Sequence, residues 1–149
     1  MPALRDPGSG LLNAAYFEVA VPQRVAVARR GLRPLSVVLV EALLPGVDPA
    51  ERAEVVLRCL RDADTACQLD GEVVALVLED TPEDGAIWTA ERLRRELVAT
   101  SPSATVRAGV ATYPSQSLDA DELVAAARRA LRLAALHPGS CIEVAQSGV

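Results

Sequence analysis

Apolar and polar positions follow one another along the chain in short blocks whose periods predict five strands and four helices. The run Leu35–Val40 is apolar except for Ser36, which predicts a strand buried on both faces. Asp70 and Gly71 separate two further apolar runs, and this dipeptide is typical of two-residue hairpin turns with positive φ at both residues. The predicted strands are 35–40, 65–69, 72–79, 105–113 and 141–144.

Helical spacing fills the segments between these strands. The helix after the hairpin has the clearest start, because Thr81 can cap it, Pro82 can take its first position and acidic residues follow. Pro22 falls inside the first helix, where we expect a kink or a restart. Asp119 or Ser117 should cap the last helix. The predicted helices are 13–30, 50–62, a segment from Pro82 through Leu97, and 119–136.

Single strands mixed with helices, together with one hairpin, predict an α/β (α+β) fold in which helices flank a central mixed sheet. The 149 residues, half of them hydrophobic, predict one domain with a sizeable core. Residues 1–10 are rich in Pro and Gly and predict an irregular lead-in.

Charge and composition exclude several partners. The formal charge is −5, lysine is absent and only four residues are aromatic, which disfavours binding to nucleic acid. Because no apolar run reaches membrane-spanning length and no signal sequence is evident, we expect a cytoplasmic protein without a membrane partner. Cys59, Cys67 and Cys141 are expected to be reduced thiols, and a single histidine, His137, gives little support for a zinc site.

A polar motif stands before the hairpin. Arg61 and Asp64 form an Arg-x-x-Asp pattern, and after a five-residue spacer the turn reads Asp-Gly-Glu-Val-Val at 70–74. This combination resembles the signature hairpin of GGDEF domains, the diguanylate cyclase family, in which Arg-x-x-Asp precedes Gly-Gly-(Asp/Glu)-Glu-Phe. The resemblance covers nearly the whole chain and implies a nucleotidyl-cyclase-like sheet of five strands. The other matching segments are Asp6–Asn13, Tyr16-Phe17, Asp80-Thr81, Ala90–Arg94, Gly109–Ala111 and Tyr113-Pro114.

The resemblance implies a damaged catalytic site. The family joins two GTP molecules and needs two carboxylates to hold metal ions, and Glu41 and Glu72 stand at those positions. Val73 replaces an essential glutamate, and valine can neither bind a metal nor transfer a proton. Solvated strand-end carboxylates are the simpler interpretation of Glu41 and Glu72, which are at most weak metal candidates. We therefore expect no bound metal or other cofactor.

Further family elements are missing. The segment Leu43–Pro49 is too short to carry the residues that recognise guanine in the family. Asp70 replaces a phosphate-approaching glycine, and its charge would repel a triphosphate. Ala135 and Ser140 stand where the family has a phosphate-binding lysine and an arginine. Diguanylate cyclase activity is therefore expected to be lost, and residual activity on another nucleotide is a distant third hypothesis.

The Arg-x-x-Asp pattern has the opposite implication. In the family it is the inhibitory site for the product, cyclic di-GMP, and Arg92 stands where a second arginine joins that site. A guanidinium can contact guanine O6 and N7 or a phosphate, while a carboxylate accepts from guanine N1 and N2. The leading hypothesis is an inactive cyclic di-GMP receptor that binds through Arg61, Asp64 and Arg92, as a homodimer or with a partner protein. The alternative is an interaction or dimerisation module that binds no nucleotide, with Arg61 and Asp64 forming only a surface ion pair.

Overall fold

The computed structural model describes residues 4–146, which contain four helices and five strands. The elements follow the predicted order, and the predicted mixed five-stranded sheet is confirmed. Within the expected lead-in, residues 7–9 form a turn and Arg5 forms an isolated antiparallel bridge with Leu12, while residues 1–3 lie outside the described part. The helices are α1 (Ala14–Gly31), α2 (Pro49–Arg58), α3 (Glu83–Thr100) and α4 (Ala120–Ala134); the strands are β1 (Leu35–Leu43), β2 (Thr65–Gln68), β3 (Val73–Glu79), β4 (Thr105–Tyr113) and β5 (Cys141–Val144).

The sheet has the strand order β2-β3-β1-β4-β5. The central strand β1 pairs antiparallel with β3 on one side and with β4 on the other. Strand β2 completes the hairpin with β3, whereas β5 runs parallel to β4. The apolar run 35–40 therefore lies at the centre of the sheet, where both faces of a strand are covered.

Helices cover both faces of this sheet. Alternate residues of β1 point to opposite sides, so Val38 faces one hydrophobic cluster and Val37 faces the other. Helices α2 and α3 pack on the Val38 side, while α1 and α4 pack on the Val37 side. Helix α4 packs closely on the sheet, because a Cβ atom at Gly109 of β4 would overlap the backbone of Ala127 and Leu131.

Four local predictions need correction. Helix α2 ends at Arg58, so the Arg-x-x-Asp residues lie in the turn after it and not on its last turn. The hairpin loop has three residues, because Leu69 N donates to Val73 O (2.9 Å), and within it only Gly71 has positive φ (65°). Helix α1 continues through Pro22, so of the kink or restart expected there, the restart does not occur.

The fourth correction concerns the start of α3. Pro82 occupies the N-cap position, and no side chain caps this helix. The hydroxyl of Thr81 donates instead to the carbonyl oxygen of Glu79 (2.8 Å). At the last helix the structure selects Asp119, whose carboxylate accepts a hydrogen bond from the backbone N–H of Asp121.

Candidate functional site

The signature turn of the hairpin is stabilised by a glutamine. Gln68 is buried at the end of β2, and its Nε2 donates to the carbonyl oxygens of Leu69, Gly71 and Val73 at 3.1–3.2 Å. The contacts to Leu69 and Gly71 give partners to two carbonyl groups at the loop, whereas Val73 O, which already accepts from Leu69 N, gains a second donor. The turn itself, Asp70 and Gly71, is exposed as predicted.

An arginine from α2 occupies the inner side of this turn. The side chain of Arg52 is 5 % exposed and forms an ion pair with the carboxylate of Glu72. Its Nη2 also donates to Oε1 of Gln68 (3.0 Å). Within residues 4–146, Nε of Arg52 has no hydrogen-bond partner, so burying this guanidinium has a cost that the Glu72 carboxylate offsets.

The second candidate metal ligand is also paired with an arginine. Nη1 of Arg107 on β4 lies 3.4 Å from Oε1 of Glu41 at the end of β1. Val73 is half-buried and packs against the hydrophobic cluster beneath α1 and α4. The residues present therefore do not fit the pair of metal ions that cyclase chemistry requires, because each carboxylate faces a guanidinium and the third position is apolar.

The Arg-x-x-Asp residues form a compact turn between α2 and β2. The carboxylate of Asp64 accepts from the backbone N–H of Arg61 (3.0 Å), and its side chain is only 4 % exposed. Nη2 of Arg61 donates to the carbonyl oxygen of Glu79 (2.6 Å) and to the hydroxyl of Thr81 (2.7 Å). Contacts between the guanidinium and the Asp64 carboxylate are long, at 3.5 Å, and hold Arg61 only weakly.

Arg92 approaches the same turn from α3. Its Nη2 lies 3.5 Å from the carbonyl oxygen of Arg58 at the end of α2, where a positive charge is favoured by the helix dipole. Its guanidinium carbon lies 5.9 Å from the centroid of the Trp88 ring, which is a cation–π distance. The indole of Trp88 is 59 % exposed, so most of its surface remains open to solvent.

These side chains line one open cavity of about 300 Å³ between the α2–β2 turn and the first half of α3. The predicted trio of Arg61, Asp64 and Arg92 is thus brought together. Trp88 lines the same cavity but was missed by the sequence analysis, although it stands four residues before Arg92 on one helix. Cys59 lines the cavity floor, and burial raises the pKa of its thiol, while Arg92 opposes that rise.

Comparison with known proteins identifies the family. The sequence model described as "Diguanylate cyclase, GGDEF domain" matches residues 50–139, more than half of the chain. The chain belongs to the GGDEF domain family. No curated protein sequence matched it.

Solved GGDEF domains share the fold at low sequence identity. The GGDEF domain of FimX from Pseudomonas aeruginosa has a TM-score of 0.82 and 20% identity, covering 94% of this chain and 98% of its own. The GGDEF domain of DgcB from Caulobacter crescentus, solved in complex with c-di-GMP, has a TM-score of 0.83 and 18% identity, covering 99% and 96%. The active GGEEF domain of a diguanylate cyclase from Vibrio cholerae has a TM-score of 0.80 and 19% identity, covering 93% and 99%.

This GGDEF domain therefore carries two polar regions of different character. At the signature turn and on the neighbouring strand β1, the carboxylates of Glu72 and Glu41 each pair with an arginine. At the α2–β2 turn, arginines lie beside an open cavity and an exposed indole. No helix in residues 4–146 has the length and hydropathy to cross a membrane.

Proposed function

We propose that this GGDEF domain is a catalytically inactive receptor for cyclic di-GMP. The observation that carries the proposal is the cavity in which Arg61, Asp64 and Arg92 converge. The complex of the DgcB GGDEF domain with c-di-GMP supports this ligand for the fold. The arginine pairing of Glu41 and Glu72 supports the loss of catalysis, since each carboxylate already has a cationic partner.

The two arginines supply the recognition chemistry. Arg61 donates through Nη2 to the protein, whereas within the described residues its Nη1 makes no hydrogen bond. Nη1 and the exposed part of the guanidinium can therefore contact guanine O6 and N7 or a phosphate oxygen. Arg92 adds a second positive charge, and the open face of Trp88 offers a surface on which a base can stack.

Asp64 has a different role in the unliganded domain. Its nearly covered carboxylate accepts from the backbone of Arg61 and so holds the turn in shape. Guanine N1 and N2 can reach this carboxylate only when the Arg61 side chain moves away from it. The long 3.5 Å contacts to Asp64 cost little to break, whereas the hydrogen bonds of Arg61 Nη2 to Glu79 O and Thr81 Oγ1 must be kept or replaced by contacts to the ligand.

A cavity of about 300 Å³ is at the small end of ligand sites and takes one part of a cyclic dinucleotide. The other part would remain outside the cavity. We therefore propose that a second copy of the chain, or a partner protein, covers the exposed part of the ligand. Sedimentation analysis with and without cyclic di-GMP tests this step separately from binding itself.

Calorimetric titration of the chain with cyclic di-GMP, with GTP as a control ligand, tests the proposal. We expect saturable heat with cyclic di-GMP that the Arg61→Ala variant reduces. The absence of heat and of a thermal shift at high-micromolar cyclic di-GMP would refute the receptor. A nucleotide-independent interaction module would then be the better description of the domain.

A further inference from the structure

We infer that His137, Cys141 and Glu143 form a binding site for a divalent transition-metal ion of the Zn²⁺ class. This site lies where α4 leads into β5, on the opposite edge of the sheet from β2. It is the group of three metal-ligating side chains found within residues 4–146, and it includes neither Glu41 nor Glu72. The inference is independent of the proposed nucleotide site.

The backbone places the three side chains together. The N–H of His137 donates to the carbonyl oxygen of Ala134 (3.1 Å), which continues the last turn of α4. Arg107 of β4 donates to the carbonyl oxygen of His137 (3.0 Å) and so ties this turn to the sheet. Cys141 and Glu143 are two residues apart on β5, so their side chains lie on the same face.

Distances between the ligand atoms are close to those around a metal ion. Nε2 of His137 lies 3.4 Å from Oε1 of Glu143, and Sγ of Cys141 lies 3.9 Å from the same oxygen. All three ligand atoms lie within 4.8 Å of one another. Zinc–ligand bonds of about 2.0–2.3 Å at tetrahedral angles give ligand–ligand distances of roughly 3.3–3.8 Å. Small side-chain rotations therefore suffice, and His137 is free to make them because half of its side chain is exposed.

The donor set selects the class of metal. One imidazole nitrogen, one thiolate sulfur and one carboxylate oxygen suit Zn²⁺ or Co²⁺, whereas Mg²⁺ and Ca²⁺ require oxygen ligands. The His-x-x-x-Cys spacing of residues 137 and 141 falls within the range that structural zinc ligands use. Three protein ligands leave a fourth position for water or for a side chain of another molecule.

Some neighbouring charges favour binding of a divalent cation and one opposes it. The carboxylate of Glu143 and the thiolate of Cys141 together balance a divalent ion, and the proton of the thiol is released to solvent on binding. The carboxyl end of α4 adds a favourable partial negative charge. Arg107 opposes binding, but its guanidinium already contacts Glu41 and the His137 carbonyl oxygen.

Titration of the full chain with Co²⁺ and then Zn²⁺ tests the inference, because a thiolate ligand produces a near-ultraviolet charge-transfer band with Co²⁺. We expect the band at one equivalent, its displacement by Zn²⁺, and its loss in Cys141→Ser. His137→Gln and Glu143→Gln should each weaken Zn²⁺ binding at least about tenfold in competition with a chelating dye. Cys67→Ala, which alters a thiol on β2 at the opposite edge of the sheet, should leave the band unchanged.

Circular dichroism of each variant establishes that it folds, and all three ligand side chains are at least partly exposed, so folding is expected to survive. Two outcomes would overturn the inference. One is the absence of a cobalt band and of zinc binding in the wild-type chain. The other is a band that survives Cys141→Ser or disappears in Cys67→Ala, since either result would assign the metal to another thiol.

Discussion

The buried guanidinium of Arg52 on α2 forms an ion pair with the carboxylate of Glu72 at the signature turn. The pair joins two segments that are 20 residues apart, and Gln68 extends it to the carbonyl groups of the loop. The side chain of Arg52 is 5 % exposed, whereas that of Glu72 is 52 % exposed. Removing Glu72 therefore leaves a buried unpaired charge, whereas removing Arg52 leaves a carboxylate that is half exposed to water.

This difference predicts unequal effects on stability. Glu72→Ala leaves a buried guanidinium without its counter-charge, and we expect it to lower the free energy of unfolding by about 1–3 kcal/mol. Arg52→Met keeps most of the buried volume and frees a half-exposed carboxylate that water can solvate, so its cost should be smaller. Urea denaturation of the two variants measures the difference, and an equal or reversed order would contradict this account.

Restoring one catalytic residue should not restore catalysis. Val73→Glu supplies the missing carboxylate, but Glu41 and Glu72 remain paired with arginines and the short loop before α2 is unchanged. We expect no cyclic di-GMP from GTP with Mg²⁺ or Mn²⁺, for the wild type or the variant, when the products are separated by chromatography. Product formation that Glu72→Ala abolishes would show that the signature turn is active.

Cyclic di-GMP binding should depend on the guanidinium shape of Arg61. A charge-assisted contact contributes about 1.5–3 kcal/mol, so Arg61→Ala should weaken binding roughly ten- to a hundredfold. Arg61→Lys should be less harmful, because it keeps the charge but loses the planar fork. Arg92→Ala should also weaken binding, whereas Arg95→Ala removes an equal charge from an exposed position of the same helix and serves as its control. Equal affinity of Arg61→Ala and wild type would move the ligand to another site.

Trp88 provides an optical test of the same cavity. It is the only tryptophan of the chain, and its half-exposed ring lies beside Arg92. Stacking of a guanine on the ring should quench its emission, and Trp88→Leu should weaken binding at least about fivefold. GTP serves as the control ligand in the fluorescence titration. Binding heat without any change in emission would show that the base does not reach the indole.

Close packing of α4 on the sheet predicts a severe effect at one glycine. Gly109→Ala forces a Cβ atom into the backbone of Ala127 and Leu131, and we expect a loss of about 3 kcal/mol or more in the free energy of unfolding. Gly139→Ala adds the same atom at a position where nothing lies within 4 Å, so it should change stability by less than about 0.5 kcal/mol. Thermal denaturation of both variants makes the comparison, and equal midpoints would contradict it.

The buried thiol of Cys67 should make the protein less stable at alkaline pH. Burial raises the pKa of this thiol from 9.0 to about 11, while the positive charge of Arg24 acts in the opposite direction. The unfolded thiol ionises first, so the free energy of unfolding falls as the pH rises from about 9 to about 11. The fall should be shallower in Cys67→Ala, measured by urea denaturation at each pH. Parallel pH profiles of the two proteins would refute this assignment.

Local patterns in the chain were sufficient for the order of elements and the buried central strand. The run 35–40 is almost entirely apolar, and α3 keeps its helical spacing over several turns. An error at one position therefore leaves the predicted element unchanged. Element ends were less secure, as the early end of α2 and the uncapped start of α3 show. The position of a helix end depends on the hydrogen-bond partners of nearby polar groups. The hydroxyl of Thr81 donates to Glu79 O and accepts from Arg61, so it does not cap α3.

The motif residues Arg61, Asp64 and Arg92 could be selected from their spacing, but their shared cavity depends on how α3 packs against the α2–β2 turn. The cluster of His137, Cys141 and Glu143 lies within one short stretch of the sequence but was not predicted, because a single histidine gave little support for a zinc site. The ion pair between Arg52 and Glu72 was invisible in the sequence. No local period links a helix to a distant turn, since such contacts exist only once the sheet has paired and its helices have docked. Sequence patterns thus decided which elements form, and tertiary packing decided which charges meet.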